Sequence, residues 1–241
     1  MKTLSCSCII HMIFIVPRHV LNSVKLPQSI QVNSSVIPTS KTVRNLGVFI
    51  DQTLSFERQI SSICQTCYLE IRRISSIRHF LSRDATKSLV CALILSRLDY
   101  CNSLLAGCPN YLLSRLQKVQ NNAARLIFRS PRSAHVSPLL YSLHWLPIDK
   151  RISYKLSLLC FKFMNDLTPS YFRQLLHRYV PSRHLRSASD SRLLKIPPFR
   201  TKSYGQRSFS FQASSSWNAL PFPVRHSASL LSFKSSLKTH F

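Results

Sequence analysis

The sequence predicts a mainly helical protein with a short β-hairpin near its N-terminus and a basic, partly irregular α+β tail at its C-terminus. Three observations support this class. Apolar and polar residues alternate over residues 29–51, apolar residues recur every three or four positions from about 54 to 180, and serine, proline and basic residues become frequent after 180. We therefore divide the chain into a leader over 1–28, a hairpin and helical domain over 29–180, and a basic extension over 181–241.

The leader contains a mostly apolar stretch from Leu4 to Val16, with Lys2 before it and Pro17 after it. This order is typical of a secretory signal peptide. However, polar residues interrupt the stretch, it is too short to cross a bilayer as a helix, and no small-residue cleavage site follows it. We therefore expect residues 1–28 to be unstructured, and a working signal peptide is the alternative.

Residues 29–51 predict one β-hairpin because their β-branched and large apolar residues form two runs. The first run extends from Ile30 to Ile37 and the second from Val43 to Ile50. The segment Pro38-Thr39-Ser40 between them has the composition of a turn. Gly47 lies inside the second run, where a glycine indicates a β-bulge or a close approach of another backbone segment.

The region after residue 54 has the periodicity of helices. Ser82 is suited to cap the second of these helices, and Asp84 is favourable in its first turn. Apolar residues surround that second helix on all sides, so we expect it to be central among the helices. Near the C-terminus, Ser208–Ala213 alternates phenylalanine with polar residues and predicts a strand. The predicted helices cover about 55–80, 83–98, 110–128 and 148–165, with a short helix after Pro169 and another at about 229–238.

The net charge is the most unusual property of the chain. Its 33 Lys and Arg residues exceed its 8 Asp and Glu residues, which gives a formal charge of +25 and a pI near 10.5. Because a folded state with such an excess repels itself, the excess indicates a polyanionic partner. We expect RNA or DNA, with an anionic membrane surface as the less favoured alternative. The basic residues are spread along the chain, which favours an extended track over a small-molecule pocket.

The helix at 110–128 carries the strongest candidate contact surface. Its basic residues form a stripe that lies about a third of a turn from its apolar stripe, at about 100° per residue. No acidic residue lies four positions away to pair with them. The alternative is that these basic residues form an ordinary solvent-exposed face that binds no ligand. The predicted nucleic-acid-binding residues are Arg115, Lys118, Arg125 and Arg129 in this helix, Arg72 and Arg73 in the first helix, and Lys155 and Lys162 in the helix at 148–165.

Within the first helix, Ile60, Cys64, Cys67, Ile71 and Ile74 form the predicted apolar face. Arg58, Arg72, Arg73 and Arg78 are expected to lie off that face. The pair Cys64 and Cys67 has the spacing of half a zinc site, but no second pair completes it. We therefore expect both cysteines to be core residues, and we expect Trp145 and Trp217 to pack in a core as well.

The acidic residues do not predict an active site. A two-metal centre needs a cluster of carboxylates, whereas the eight acids are widely separated in the sequence. We expect no catalytic residue, no metal and no cofactor. The eight cysteines, in a chain with enough apolar residues for a core, indicate reduced thiols and therefore an intracellular location.

Several short segments resemble one family of proteins, and they occur in the order in which that family has them. The segments are VRNLGVFIDQTLSFERQI (43–60), SRLDYCNSLLAG (96–107), RLQKVQNNAARLI (115–127), LHWLPIDKRI (143–152), LTPSYF (167–172), RTKSYGQRSFSF (200–211), SSWNALPFPVR (215–225) and FKSSLKTHF (233–241). They resemble segments of the reverse transcriptases of non-LTR retrotransposons, of the LINE type and jockey-like.

The resemblance implies that residues 30–50 form the junction of palm and thumb, that the helices at 55–130 form the thumb, and that the remainder is a C-terminal extension that contacts nucleic acid. Such polymerases have an aromatic-Ala-Asp-Asp catalytic motif in the palm, and no such run occurs in this sequence. The resemblance therefore implies a fragment, without palm and fingers, that is inactive alone but holds a template–primer duplex. A stand-alone host nucleic-acid-binding module is the alternative, and a basic membrane-associated protein is less favoured.

Overall fold

The computed structural model describes residues 27–32, 35–181, 192–201 and 204–241. Most of the predicted leader, and the part of the basic extension at 182–191, lie outside the described residues. The described residues form a mainly helical structure with two short β-hairpins at its N-terminal end, which confirms the predicted fold class. Backbone contacts divide the chain into two compact units, residues 1–61 and 62–241. The boundaries predicted at 28 and 180 follow changes in composition and stay predictions.

The first unit contains two hairpins, so the prediction of a single hairpin over 29–51 was wrong. Each predicted run folds back on itself to form an antiparallel pair. The cause is length: the segments 29–38 and 42–51, which extend each predicted run by one residue at both ends, have ten residues each, enough for two four-residue strands and a two-residue connection. The strands are β1 (Ser29–Val32), β2 (Ser35–Pro38), β3 (Thr42–Asn45) and β4 (Val48–Asp51).

Gly47 forms the turn between β3 and β4, and it does not form the predicted bulge. Leu46 and Gly47 both have positive φ angles, 46° and 82°. A two-residue turn with positive φ at both positions matches the right-handed twist of the adjoining strands. Gln59, in the first turn of the following helix, accepts a hydrogen bond from the Phe49 N–H (2.9 Å) and so joins this hairpin to the start of that helix.

The Asp51 carboxylate organises the loop that follows β4. It accepts hydrogen bonds from the N–H groups of Thr53 (3.0 Å), Ser55 (2.9 Å) and Phe56 (2.9 Å), and from the hydroxyls of Thr53 and Ser55. Partial burial raises the pKa of Asp51, but these hydrogen bonds outweigh burial and bring the pKa below its ordinary value of 3.8. The charged form of Asp51 is therefore the form that stabilises the loop.

Replacing Asp51 by alanine is expected to reduce the free energy of local opening by about 1–2 kcal/mol, because three backbone donors lose their acceptor. Hydrogen exchange of the Phe56 amide should become about tenfold faster at neutral pH. The pKa of Asp51 is lower in the folded state than in the unfolded state. The stabilisation by Asp51 is therefore complete above about pH 4, and it disappears as the pH falls through the pKa of the folded state. A difference between the two proteins that persists unchanged in acid would contradict this role of the charge.

The helix α1 (Glu57–Ile77) crosses from the first unit into the second. The next helical stretch is continuous from 83 to 99, and it consists of α2 (Arg83–Val90), a π-helical turn (Cys91–Leu95) and α3 (Ser96–Asp99). The Ser82 hydroxyl accepts a hydrogen bond from the Ala85 N–H (3.1 Å), so the predicted cap is confirmed.

The expectation that this second helical stretch is central and buried on all sides was wrong. Val90, Ile94 and Leu98 are buried, but Ala92 is exposed and Leu93 is half-buried. The reason is that the stretch packs along one face, chiefly against the following long helix. Apolar side chains on the other face are therefore partly exposed to solvent, which is common on protein surfaces.

The long helix α4 (Asn110–Phe128) begins and ends where the sequence predicts. Its apolar stripe, Leu112, Leu116, Val119, Ala123 and Ile127, is buried with 0–1% exposure. The remaining helical elements are a 3₁₀ turn (Asn102–Leu105), α5 (Ser137–Ser142), α6 (Ile148–Met164), α7 (Phe172–Leu175), α8 (Phe209–Asn218), α9 (Phe222–Arg225) and α10 (Leu230–His240).

The strand predicted at Ser208–Ala213 was wrong, because these residues begin α8. The Ser208 hydroxyl caps the helix by accepting a hydrogen bond from the Phe211 N–H (3.4 Å). Phe209, Ala213 and Trp217 recur every four residues, and the last two are fully buried. Six residues of alternation are compatible with either structure, whereas the longer four-residue series is specific to a helix.

The C-terminal helices pack against α6, and aromatic side chains fill the contact. Phe161 of α6 stacks on Phe233 of α10, with ring centroids 4.2 Å apart, and Trp217 of α8 lies 5.9 Å from Phe233. Trp217 and Trp145 are both buried, as predicted. Part of the extension is also attached here, because the Leu194 N–H donates to the Asn218 side chain (2.9 Å).

Candidate nucleic-acid interface

The basic stripe of α4 lies beside the buried apolar stripe that holds the helix in place. At 1.5 Å per residue, the Cα atoms of Arg115 and Arg129 are about 21 Å apart along the helix. Lys118 and Arg129 are exposed, whereas Arg115 and Arg125 are half-buried. The structure therefore places three of the four predicted residues along α4 and the fourth, Arg129, at its end, and Lys118 and Arg129 are exposed.

Two members of this stripe also make contacts within the chain. The Arg125 guanidinium donates to the Ala134 carbonyl (3.1 Å) and to the Asn122 side chain (3.4 Å). Arg129 donates through one nitrogen to the Arg78 carbonyl (3.0 Å). Since a guanidinium has five N–H donors, an exposed arginine such as Arg129 can make this contact and still bind phosphate.

Arg78 was expected to lie off the apolar face of α1, and the structure shows instead that it is buried, with 9% exposure. Its guanidinium donates to the carbonyls of Leu126 (3.0 Å) and Ile127 (2.8 Å) in the last turn of α4, and to the Leu81 carbonyl (2.8 Å). A cation is favourable at this negative end of the α4 dipole. Burial, and then the neighbouring charge of Arg129, lower the pKa of Arg78. The burial of Arg78 could have been predicted from the sequence spacing. Arg78 follows Ile74 of the apolar face by four residues, which places both residues on the same side of the helix.

Arg83 lies at the same end of α4. It was not among the binding residues predicted from the sequence. Its guanidinium is 4.0 Å from the centroid of the Phe128 ring, a cation–π contact. We call Arg78, Arg83 and Arg129 the α4-end cluster. Arg83 and Arg129 are exposed, and neither forms an ion pair with a carboxylate in the described part of the chain.

The predicted residues outside α4 are not brought together into one site. In α1, Arg72 is exposed, and Arg73 forms an ion pair with Glu70 (3.1 Å). In α6, Lys155 is exposed and Lys162 is half-buried. The ion pair of Arg73 neutralises part of its charge, so Arg72 is the stronger of the two candidates in α1.

Lys155 belongs to a second basic surface, a groove between the corner before α6, α6 itself and α10. Two adjoining cavities of about 400 and 640 Å³ form this groove, and they share His144, Leu146 and Lys238. Arg151 also lines it, but its guanidinium is bound to the Asp99 carboxylate (2.7 Å) and to the Leu146 carbonyl (2.9 Å). The groove therefore contains two lysines that form no ion pair with a carboxylate in the described residues, and one arginine whose charge is largely offset by Asp99.

Glutamine side chains hold the corner of the groove in position. The Ile148 N–H donates to the Gln117 side chain (2.9 Å), and the buried Gln120 amide donates to the Leu146 carbonyl (2.9 Å). Gln117 and Gln120 are also hydrogen-bonded to each other (2.9 Å). Because α4 carries both glutamines, the helix with the basic stripe also positions the wall of the groove.

The two cysteines with half-zinc spacing are core residues, as predicted. Cys64 and Cys67 are buried, and burial raises the pKa of both thiols, that of Cys67 to about 11. In the described segments, no group of three or more His, Cys, Asp or Glu side chains is placed to hold a metal ion. Among the helices described, none combines the length and apolar character needed to cross a membrane.

Comparisons of this chain with protein-family models, with curated protein sequences and with solved structures found no significant match.

Proposed function

We propose that this chain is the thumb and C-terminal region of a non-LTR retrotransposon reverse transcriptase, and that it holds nucleic acid through its phosphates. The observation that carries the proposal is the row of exposed cations along α4 and at its C-terminal end. Lys118, Arg83 and Arg129 have no carboxylate partner in the described residues. A formal charge of +25 makes a polyanion the natural partner of such a row.

The arrangement suits contact with a duplex backbone. A double-stranded nucleic acid carries about one negative charge per 1.7 Å of axis, so the row from Lys118 to Arg129, about 16 Å long, faces several phosphates. The buried apolar stripe keeps α4 fixed while the adjoining stripe faces outward. Lys and Arg contact phosphate without reading bases. Binding should therefore be independent of sequence and should weaken steeply with salt.

We also propose that the chain by itself is inactive as a polymerase. Several of its few carboxylates already have structural roles, which supports this part. Asp51 organises a loop, Glu70 pairs with Arg73, Asp99 pairs with Arg151, and Asp166 lies 3.8 Å from Arg173 and 3.6 Å from Arg178. In the intact enzyme, the palm and fingers would supply catalysis, and this chain would grip the template–primer duplex.

A second candidate is a stand-alone nucleic-acid-binding module retained for a host function. The buried aromatic core around Phe161, Trp217 and Phe233 favours it, because a unit with its own core can fold alone. The genomic sequence upstream of Met1 distinguishes the two candidates. A palm with its Asp-Asp motif, intact or decayed, would support the reverse transcriptase, and unrelated sequence would support the host module.

The double variant Lys118→Gln with Arg129→Gly tests the α4 row at little cost to the fold, because the only contact of these side chains described above that it removes is the hydrogen bond from Arg129 to the Arg78 carbonyl. Arg129 has a φ of 52° just after α4, where the Ser130 N–H donates to the Arg125 carbonyl (3.0 Å). Glycine is the preferred residue at such a position, so the variant keeps the helix end and removes the charge. The slope of log K against log salt for duplex binding should fall in magnitude by about 1.8, for two lost phosphate contacts.

Fluorescence anisotropy with two duplexes of unrelated sequence, measured in increasing salt, gives this slope. Both duplexes should lose affinity alike. Lys41→Gln, which removes an exposed lysine between the two hairpins, is the matched control and should have the same slope as the unaltered chain. An unchanged slope in the double variant would mean that the stripe is a solvated face. Arg115 and Arg125 are unsuitable for the test, because both are half-buried.

A further inference from the structure

His144 has an unusual backbone conformation for a histidine. Its φ of 55° lies in the left-handed region, just after α5. The His144 N–H donates to the Tyr141 carbonyl (2.9 Å), and the Trp145 N–H donates to the Leu140 carbonyl (2.9 Å), which together end α5. Glycine is the usual residue at this position of such a helix end, because it adopts positive φ without strain. The fold therefore tolerates a strained residue here, and that residue places an imidazole at the groove.

A second ring lies next to this imidazole. Tyr141 lines the groove with 83% of its surface exposed, and its ring centroid is 6.5 Å from that of His144. The two rings are inclined by 53°, so they do not stack on each other. Both rings therefore keep a face that can accept another flat group. Exposed side chains of this kind change rotamer within nanoseconds, so the rings can adjust to a ligand.

Two lysines line the groove from different helices. Lys155 comes from α6 and Lys238 from α10, and neither forms an ion pair with a carboxylate in the described segments. The Asp99 carboxylate is bound to Arg151 (2.7 Å), so it offsets the charge of that arginine and leaves the lysines unopposed. The groove thus combines exposed rings, apolar side chains such as Leu146 and Leu158, and excess positive charge. Its cavity volumes lie within the range of about 300–1,000 Å³ that is typical of ligand sites.

We propose that this groove binds an unpaired nucleotide of a single-stranded nucleic acid, with the base against Tyr141 and His144 and the phosphates at Lys155 and Lys238. An unpaired base has a free face to stack on an aromatic ring, whereas a base within a duplex is already stacked on both sides. The inference rests on the proposed function to the extent that the chain binds nucleic acid. It adds a second site, with a different ligand from the duplex assigned to α4.

An acidic peptide is the competing ligand for any basic groove. It would use the lysines but would gain little from two exposed rings. The rings therefore decide between the two ligands, and the test is designed around them.

The full chain is tested by fluorescence anisotropy with a labelled oligothymidine and with a labelled blunt duplex. Tyr141→Ala and His144→Gly should each weaken oligothymidine binding by about fivefold to a hundredfold, the range for loss of one base–aromatic stack. Duplex binding should not change. His144→Gly is the sharper variant, because glycine suits the positive φ and the melting temperature should stay equal or rise. Tyr171→Ala removes an exposed tyrosine that does not line the groove, and it should have no effect.

The lysines are tested in the same assay by the double variant Lys155→Gln with Lys238→Gln. The salt slope for oligothymidine should fall in magnitude by about 1.4, since each phosphate contact to a single strand contributes about 0.7. Lys41→Gln, an exposed lysine that does not line the groove, is again the matched control.

The outcomes separate this inference from the function on which it rests. If both ring variants bind oligothymidine as the unaltered chain does, while Lys118→Gln with Arg129→Gly still weakens duplex binding, the groove inference is wrong and the proposed function stands. If the unaltered chain binds neither probe, both are wrong. If labelled polyglutamate binds and depends on Tyr141 and His144 in the same way, the groove is a peptide site and the inference is overturned.

Discussion

Replacing Trp217 by alanine is expected to lower the free energy of unfolding by about 3–5 kcal/mol. The indole is fully buried, its ring lies 5.9 Å from that of Phe233, and its N–H donates to the Arg192 carbonyl (2.6 Å). Alanine would leave a cavity between α6, α8 and α10, and it would leave that carbonyl without its donor. Since a domain is stable by only about 5–15 kcal/mol, this loss is a large share of the total.

Urea unfolding followed by far-ultraviolet circular dichroism measures the effect. Trp217→Phe is the matched control, because it keeps an apolar ring in the site and removes the N–H together with part of the volume. It should cost less than half as much as alanine. If the alanine variant unfolds at the same urea concentration as the unaltered chain, residues 209–240 do not share a core with α6, and the packing of the C-terminal helices described above is wrong.

The sequence alone was sufficient for the parts of the fold that have long, regular periodicity. α4 is the clearest case, because its apolar stripe repeats over sixteen residues and the ends of the helix coincide with those predicted. Once that stripe is known to face inward, the position of the basic stripe follows from helix geometry. The core positions of Cys64 and Cys67 follow in the same way, from an apolar face with three- and four-residue spacing.

Short elements were the ones that the sequence did not determine. Ser208–Ala213 has only two aromatic residues in alternation, and α8 forms because its four-residue series continues to Trp217 in the core. The prediction of a single hairpin was wrong for a related reason. Gly47 inside a run was interpreted as a bulge or a close backbone approach, although a glycine suits a two-residue turn equally well. In both cases a short segment allows two local structures, and its sequence alone does not decide between them.

The groove could not be predicted, because its residues are distant in sequence. Lys155 and Lys238 are separated by more than eighty positions and meet only because α10 packs on α6. The residues around His144 likewise contain no sign of its positive φ. A site assembled from several elements has no single periodic pattern, so the packed structure is needed to recognise it.

Arg78→Ala is the second large effect, and we expect it to lower the free energy of unfolding by about 3–4 kcal/mol. The buried guanidinium supplies donors to the carbonyls of Leu81, Leu126 and Ile127, at distances of 2.8–3.0 Å. Hydrogen bonds from a charged group contribute about 1.5–3 kcal/mol each, and buried acceptors left without partners add a penalty. The favourable contact with the end of the α4 dipole is lost as well. Arg78→Lys, which keeps the charge but not the planar fork of donors, should recover only part of this stability.

The same variant separates arginines that build the fold from arginines that bind the ligand. The donors of Arg78 are directed to carbonyls of its own chain, so well below the melting temperature its loss should leave the salt slope for duplex binding nearly unchanged. Lys118→Gln with Arg129→Gly should give the opposite result, a flatter slope with little change in stability. If Arg78→Ala instead leaves the urea midpoint unchanged and flattens the salt slope, Arg78 contacts phosphate directly, and the α4-end cluster binds nucleic acid through a residue that the structure shows as buried. The two measurements together therefore test whether the excess positive charge of this chain is divided between a structural and a binding role.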